Sequence, residues 1–365
     1  MPAPSTGPST RPLVLTSDAA MLDDLLRCAG TAGIEVDVVT DVEDARPGWT
    51  GPPLVIAGGD QLPALTRAGL PRRPALLVVT GEGSTGPSAW DVAAEIGAES
   101  VLTLPGAETL VVDRLAAVAD IGAATTVAVV PGRGGAGATT LACALAHIAT
   151  AGNAPRRTHL LDADPLGGGL DLAMGAEAVP GLRWAELADA RGATGPDELR
   201  CALPHVGDLA VLAWPRDPAM VVDPAAAASV LAAARRGHDL VVADVPRQPG
   251  VVAAVALAAA DLALLVVPSD VRSVAAAAVV ATRVAAVVAD VRVVVRGPAP
   301  SGLTGPEVAA AIGLRYAGWL APDTGLAVRV DRGEPPAASG RGHLATFCRA
   351  LLAELPLGAA RGRAA

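Results

Sequence analysis

From Pro12 to about Asp120, short runs of Val and Leu alternate with longer Ala/Leu segments in which apolar positions recur at three- and four-residue spacing. Runs of four or five apolar residues with no polar alternation mark strands covered on both faces. They predict five buried strands, at Leu13 to Thr16, Val36 to Thr40, Leu54 to Ala57, Leu76 to Thr80 and Val101 to Leu104. The segments between them, such as Asp18 to Ala29 and Trp90 to Ile96, read as helices. A βα alternation of this kind builds a doubly wound parallel sheet.

A second βα series begins at Thr125. Its strands are expected at Thr126 to Val130, His159 to Asp162, Leu240 to Asp244, Leu262 to Val267 and Val291 to Val295, with a last one near Tyr316 to Leu320. Helices are expected to start at Ala138, Gly250, Val271 and Thr304, and a final one to run from about Gly342 to Leu355. Between Gly181 and Pro224 the pattern is less regular, with a helix around Trp184 to Ala190 and an extended piece at Asp208 to Ala213. The expected organisation is therefore α/β with two doubly wound parallel-sheet domains, over residues 13–120 and 125–357, between disordered tails at 1–12 and 358–365. At 365 residues the chain is long enough for two cores.

Composition narrows the chemistry. Hydrophobic residues make up 52% and aromatic residues 2%, so Ala, Val and Leu must fill both cores. The formal charge of -9 argues against nucleic-acid binding through phosphate neutralisation. All 28 basic residues are Arg, which removes any chemistry that needs a lysine ammonium. Cys28, Cys143, Cys201 and Cys348 lack the close pairing of zinc or redox motifs and fit a reduced, cytoplasmic setting. The most apolar stretch, Val251 to Val267, is cut by Asp261 and reads as a helix followed by a strand. The last residues, Gly358 to Ala365, have no amphipathic face for a membrane surface, so no direct membrane anchor is expected.

The first half resembles a response-regulator receiver of flavodoxin-like fold, most visibly in Gly97-Ala98-Glu99-Ser100-Val101-Leu102-Thr103-Leu104-Pro105. A receiver carries Lys-Pro at the last two positions, and here the lysine position is Leu104. The acidic cluster expected after the first strand is reduced to Ser17-Asp18, and the third strand ends in Ala57-Gly58-Gly59 before Asp60 rather than in an acceptor aspartate. The resemblance implies a pseudo-receiver that docks to a partner and does not take phosphate. A generic small α/β domain is the alternative that the alternation alone leaves open.

Gly132-Arg133-Gly134-Gly135-Ala136-Gly137-Ala138-Thr139-Thr140 lies between an apolar strand and an Ala-rich helix. Glycines let backbone N–H groups converge on an anion, and the helix N-terminus adds its positive end. Glycines also serve tight turns for steric reasons. The strand-loop-helix context and the Thr pair favour a phosphate cradle.

This loop resembles that of the MinD/ParA deviant-Walker ATPases, which reads K-G-G-x-G-K-[ST]. Gly134, Gly135, Gly137 and Thr139 match, Arg133 stands at the signature-lysine position, and Ala138 replaces the lysine that reaches the β- and γ-phosphates. Leu160-Leu161-Asp162-Ala163-Asp164-Pro165-Leu166-Gly167-Gly168-Gly169-Leu170-Asp171 resembles the family's D-x-D-P-x-x-G-G segment, and Asp239 to Pro246 its Walker B strand. The resemblance continues through Leu264 to Asp270 to Gly318-Trp319-Leu320-Ala321-Pro322-Asp323, over about 230 residues.

By this resemblance Gly132 to Gly135, Gly137 to Thr140 and Arg296 belong to the nucleotide site, with Arg296-Gly297 where many members place an adenine-reading Asn. Thr139, Asp162 and Asp244 belong to the Mg²⁺ site, Asp164 positions the attacking water, and Arg133 crosses to a partner subunit. A strand-end Asp taken alone is as well explained as a helix cap. Weak ATP and Mg²⁺ binding and a homodimer follow as expectations. A receiver-like domain ahead of such a domain resembles the CpaE/TadZ branch and the actinobacterial septum-site-determining group. The expected role is to position the division septum or a pilus/secretion apparatus through protein partners, with little or no hydrolysis. The alternative is an active dimerising ATPase in which Arg133 replaces the missing lysine in trans.

Overall fold

The computed structural model describes residues 11–81, 87–119, 124–151, 156–189, 195–216, 220–300 and 302–355. The chain divides into two compact units, Met1–Ile121 and Gly122–Ala365.

The first unit contains β1 (Leu13–Leu15), β2 (Asp37–Val39), β3 (Val55–Gly58), β4 (Leu76–Gly81) and β5 (Ser100–Leu104). They form one parallel sheet in the order β2-β1-β3-β4-β5, the flavodoxin-like arrangement. The period-two alternation of a strand puts Leu13, Leu15, Val55 and Ala57 into one core layer and Val14 and Ile56 into the other. β2 is shorter than its apolar run because it has only β1 to pair with, at three positions. The first helix, Ala19–Ala32, is capped by the Asp18 carboxylate, which accepts from the amides of Ala20 and Met21, and stops at Gly33 in the left-handed region. Of the expected tails, Arg11 and Pro12 belong to the described part and are held: the Pro12 carbonyl accepts from the Asp37 amide at 2.9 Å, and Arg11 pairs with Glu35. The rest of both tails lies outside the described residues.

The second unit contains β6 (Thr125–Pro131), β7 (Thr158–Asp162), β8 (His205–Val206), β9 (Leu209–Leu212), β10 (Leu240–Asp244), β11 (Leu262–Pro268), β12 (Val291–Arg296) and β13 (Arg315–Leu320). The sheet order is β13-β12-β11-β6-β10-β7-β9-β8, parallel except for β8, which turns back antiparallel on β9. The helices Ala138–Thr150 and Gly342–Glu354 pack on one face, and Pro224–Gly237, Val251–Ala258, Val271–Ala285 and Gly305–Ile312 on the other. Helix Ala138–Thr150 is buried almost all round, with Ala142, Cys143, Ala144 and Ala146 fully inaccessible, because small side chains let it lie close on the sheet.

The irregular stretch resolves into helices Trp184–Leu187 and Pro196–Ala202 and the β8-β9 hairpin. The expected helix at Trp184 is one turn long rather than two. Helix Pro224–Gly237 was absent from the predicted set. Its start signal is present, since Asp223 caps Ala225 and Pro224 takes the first position, but its Ala-rich body carries no apolar/polar period. Among the described residues no helix is long and apolar enough to cross a membrane, and all four cysteines are free.

One feature of this core depends on pH. His159 on β7 and His238, just past helix Pro224–Gly237, are both buried with ring centroids 5.2 Å apart. Neither ring nitrogen of His159 has a partner among the described residues, whereas His238 Nδ1 meets the Ala234 carbonyl at 2.8 Å. Burial, reinforced by the neighbouring imidazole, holds His159 well below 6.5, and burial pushes His238 down to about 4. Between about 6.5 and 4 the unfolded chain takes up protons on these histidines that the folded chain refuses, so the pair's own contribution to stability falls as pH drops, while acids with raised pKa values elsewhere in the domain act in the opposite direction. Thermal denaturation of wild type and His159→Leu side by side between pH 7.5 and 5 isolates the histidine contribution, because the acids are common to both. His159→Leu, which removes two unpartnered buried nitrogens, should stabilise by about 1–2 kcal/mol at neutral pH, and its advantage over wild type should grow as pH drops. A difference between the two that does not change with pH would rule out titration of His159 as its source.

Candidate nucleotide-binding site

β6 hands the chain to the helix Ala138–Thr150 through the loop 132–137, at the C-terminal edge of the sheet. The Gly132 amide donates to the Val266 carbonyl at 2.9 Å, tying the loop to β11. A Cβ at Gly132 would lie 2.8 Å from the Ala277 Cβ and 3.2 Å from the Val266 carbonyl, so only glycine fits. Gly137 caps the helix at φ +96, a conformation that L side chains rarely adopt. The first amides of the helix have no intrahelical acceptor, and with the loop amides they supply donors for an anion. Ala138, 4% exposed, opens the helix where the resemblance expects a lysine.

Two carboxylates stand beside this loop. Asp162 ends β7 and Asp244 ends β10, and the two are direct neighbours in the parallel register. Asp162 is 2% exposed, and its carboxylate accepts from the amides of Asp164 (3.1 Å) and Leu170 (3.2 Å). Burial, with the charge of Asp244 added, pushes Asp162 up to about 8. Burial likewise raises Asp244 to about 6, against a hydrogen bond from the Thr139 hydroxyl that favours its charged form. The indole N–H groups of Trp184 and Trp214 both donate to the Asp162 carbonyl, at 2.8 and 3.0 Å, and fix the end of β7. No local sequence signal marks this role, because the two indoles lie 22 and 52 residues from Asp162.

The other site residues are arranged around this centre. Asp164 accepts from the Leu166 amide at 3.0 Å, and its charge contributes to the raised values of both neighbours. Asp171, expected only as the end of the glycine-rich segment, is buried and paired with Arg216 (2.9 Å) and Arg183 (3.7 Å), which anchors that segment. Arg133 is half exposed and lies 3.9 Å from Asp270, the cap of helix Val271–Ala285. Arg296, at the end of β12, reaches the loop itself: its Nη1 donates to the carbonyls of Gly135 (3.2 Å) and Ala136 (3.1 Å). Thr140 follows Thr139 in the first turn of the helix.

Among the described residues no three His, Cys, Asp or Glu side chains converge as a metal cage. Thr139 and the two strand-end carboxylates nonetheless form an oxygen donor set of the kind that holds Mg²⁺ partly through water and phosphate oxygens. The glycine cradle and the buried acids thus fit a nucleotide with its divalent cation.

In the first unit the corresponding edge of the sheet is closed by its own hydrogen bonds. Asp60, in the turn after β3, accepts from the Thr16 hydroxyl, the Ser17 amide, the Ser17 hydroxyl and the Gln61 amide group, each at 2.8 Å. Burial alone would raise this carboxyl, and the hydrogen bonds from Gln61, Ser17 and Thr16 outweigh it and hold Asp60 below its ordinary range. Leu104 ends β5 as a buried apolar residue at the place where a receiver has its lysine.

The second unit has the fold of the MinD/ParA P-loop NTPases, and the first is a CheY-like domain. The chain belongs to the family of the Mycobacterium tuberculosis protein Rv3660c. It is 36% identical over 360 residues to Rv3660c of strain ATCC 25618 / H37Rv, covering 96% of this chain and 100% of that protein, and equally to the counterpart in strain CDC 1551 / Oshkosh. The family of Rv3660c-like, CheY-like N-terminal domains matches residues 15–126. Three solved structures share the fold of the second domain. A ParA family ATPase from Chlorobium tepidum TLS superimposes with TM-score 0.54 at 14% identity, over 62% of this chain and 96% of that one. The septum site-determining protein MinD of Pyrococcus horikoshii OT3, complexed with Mg-ADP, gives 0.53 at 16% over 63% and 98%. The MinC:MinD cell division protein complex of Aquifex aeolicus gives 0.51 at 23% over 64% and 99%.

The Asp60 network generates a direct expectation for the first domain. With both carboxylate oxygens engaged and Leu104 in place of a lysine, acetyl phosphate should leave no stable label and beryllofluoride should cause no shift in amide NMR signals. Either effect at Asp60 would make the domain a working receiver.

Proposed function

We propose that the chain is a spatial regulator of the MinD kind with a degenerate P-loop, which positions the division septum or a pilus/secretion apparatus by docking protein partners. It binds Mg-ATP weakly and hydrolyses it little or not at all. The observation that carries this reading is the combination at the loop: Thr139, Asp162, Asp164 and Asp244 stay around the glycine cradle, while Ala138 leaves the helix start without its ammonium. Losing one charge-assisted phosphate contact of about 1.5–3 kcal/mol weakens binding by about one to two orders of magnitude. Losing its charge from the transition state slows the chemistry by about another 10² to 10³. The closed Asp60 site suits the first domain to docking rather than phosphotransfer. The MinC:MinD complex is a precedent for partner docking on this fold. The four free cysteines agree with a cytoplasmic protein recruited to its place by partners.

The second reading, an active dimeric ATPase, rests on Arg133. Its half-exposed guanidinium, which among the described residues has a 3.9 Å contact to Asp270, can swing towards a second copy. Light scattering with and without Mg-ATP tests the homodimer: the mass is expected to double with nucleotide, and Arg133→Glu to prevent the doubling. An unchanged mass in the wild type would remove the dimer from both readings.

Ala138→Lys is the decisive variant for the reading itself. Restoring the ammonium above an otherwise intact cradle should tighten ATP binding, measured by calorimetry, by about tenfold or more and raise single-turnover hydrolysis. Wild-type turnover should stay well below roughly 1 s⁻¹. Brisk wild-type hydrolysis that Asp164→Ala abolishes would overturn the degenerate-site reading in favour of the second one.

A further inference from the structure

We propose that Arg296 is the phosphate-site cation of this chain, reaching across from the end of β12 to supply the charge that Ala138 cannot. The inference rests on the nucleotide-site reading above and names the residue that makes binding possible there. Three observations carry it.

The first is position. Nη1 of Arg296 bridges the carbonyls of Gly135 and Ala136, and a Cβ on Gly137 would lie 3.0 Å from the same nitrogen. The guanidinium therefore lies against three consecutive residues of the cradle. The missing Cβ at Gly137 leaves the space it uses.

The second is unused capacity. A guanidinium carries five N–H donors in a planar fork. The two on Nη1 go to the loop carbonyls, while Nε and Nη2 have no partner among the described residues. The charge is unused as well. Arg133 faces Asp270, Arg216 faces Asp171 and Arg292 faces Asp290, but Arg296 forms no ion pair among the described residues. Carbonyl oxygens hold its position without neutralising it.

The third is need. Three acids, Asp162, Asp164 and Asp244, are gathered beside the loop, so an anion entering there gains from a cation that stands closer to it than they do. Loop amides carry only partial charges. Arg133 belongs to the loop but turns its side chain to Asp270, whereas the Arg296 side chain bonds to the loop carbonyls. A guanidinium already fixed by two backbone bonds loses little freedom on meeting a phosphate, so its contact is preorganised. The ligand class is a di- or triphosphate with paired oxygens for the free edge of the fork, as a nucleotide provides.

The test uses the full chain, with Mg-ATP and inorganic pyrophosphate as probes in titration calorimetry. Arg296→Gln should weaken both by about tenfold or more and reduce the ionic-strength dependence of the dissociation constant. Arg296→Lys, which keeps the charge but loses the paired donors, should fall between wild type and Arg296→Gln. Ala138→Lys added to Arg296→Gln should restore binding. Unchanged affinity in Arg296→Gln overturns the inference and leaves the nucleotide site standing. Tighter ATP binding in that variant overturns it too, since Arg296 would then be a plug over the loop. A wild type that binds neither probe overturns the inference together with the nucleotide reading. Should Arg296→Gln fail to fold, Arg296→Met decides: a loss of about tenfold or more for both probes supports the assignment, and unchanged or tighter binding overturns it.

Discussion

Two carboxylates ending adjacent strands inside a protein repel each other and lose the water that would stabilise their charge. Asp162 and Asp244 are in that position, nearly inaccessible and side by side in the register of β7 and β10. Amides from Asp164 and Leu170, the Thr139 hydroxyl and two indole groups on the Asp162 backbone organise the edge around them, yet neither acid forms an ion pair among the described residues. Buried acids in this arrangement are tolerated when a cation or its hydration shell shares them. The surrounding segments follow from that constraint: the glycine loop faces the acids, and the Asp171 pairs with Arg183 and Arg216 pin the segment that leaves Asp162.

The two domains treat the same topological position in opposite ways. In each, an acid lies where a parallel sheet gathers its C-terminal strand ends, the place such folds use for ligands. Asp60 has its demand met from within, by Thr16, Ser17 and Gln61, and its carboxyl stays easily ionised. Asp162 and Asp244 are pushed the other way, towards the protonated form, because the fold buries them and sets further carboxylates beside them, Asp244 by Asp162 and Asp164 by both. A settled acid has no unmet demand for a ligand to satisfy. An unsettled pair makes a site that gains by binding something.

What the sequence revealed depended on how local the physics was. Strand cores such as Leu262–Pro268 were legible because residues buried on both faces leave an unbroken apolar run. The cradle was legible because a turn that only glycine can make leaves glycines behind, and the place of Ala138 followed from counting along that turn. Helix Pro224–Gly237 escaped because alanine carries no facing information, and the β8-β9 hairpin because a two-residue strand has no pattern to repeat. Contacts between distant segments were hidden altogether. Arg296 lies 160 residues from Ala136, and resemblance placed it on the base side of the site, whereas its side chain turns to the loop. The indoles of Trp184 and Trp214 meet at Asp162 from 22 and 52 residues away, with nothing local to announce it.

The absence of lysine from the whole chain gives the altered loop its physical logic. Arginine replaces lysine freely on a surface, where only charge is asked of it, and the exposed pair of Arg27 with Asp24 and Glu108 is such a case. A first-turn helix position curled over a phosphate is different, because a flexible stem ending in a compact ammonium fits it and a wide planar fork does not. A chain built without lysine therefore cannot fill that position by simple exchange. Alanine keeps the helix start buried and intact, and the charge has to come from outside the helix. The end of β12 is close enough for a long side chain to reach the loop carbonyls, and an arginine stands there. Composition, the emptied helix position and the displaced guanidinium are then one adaptation seen at three scales.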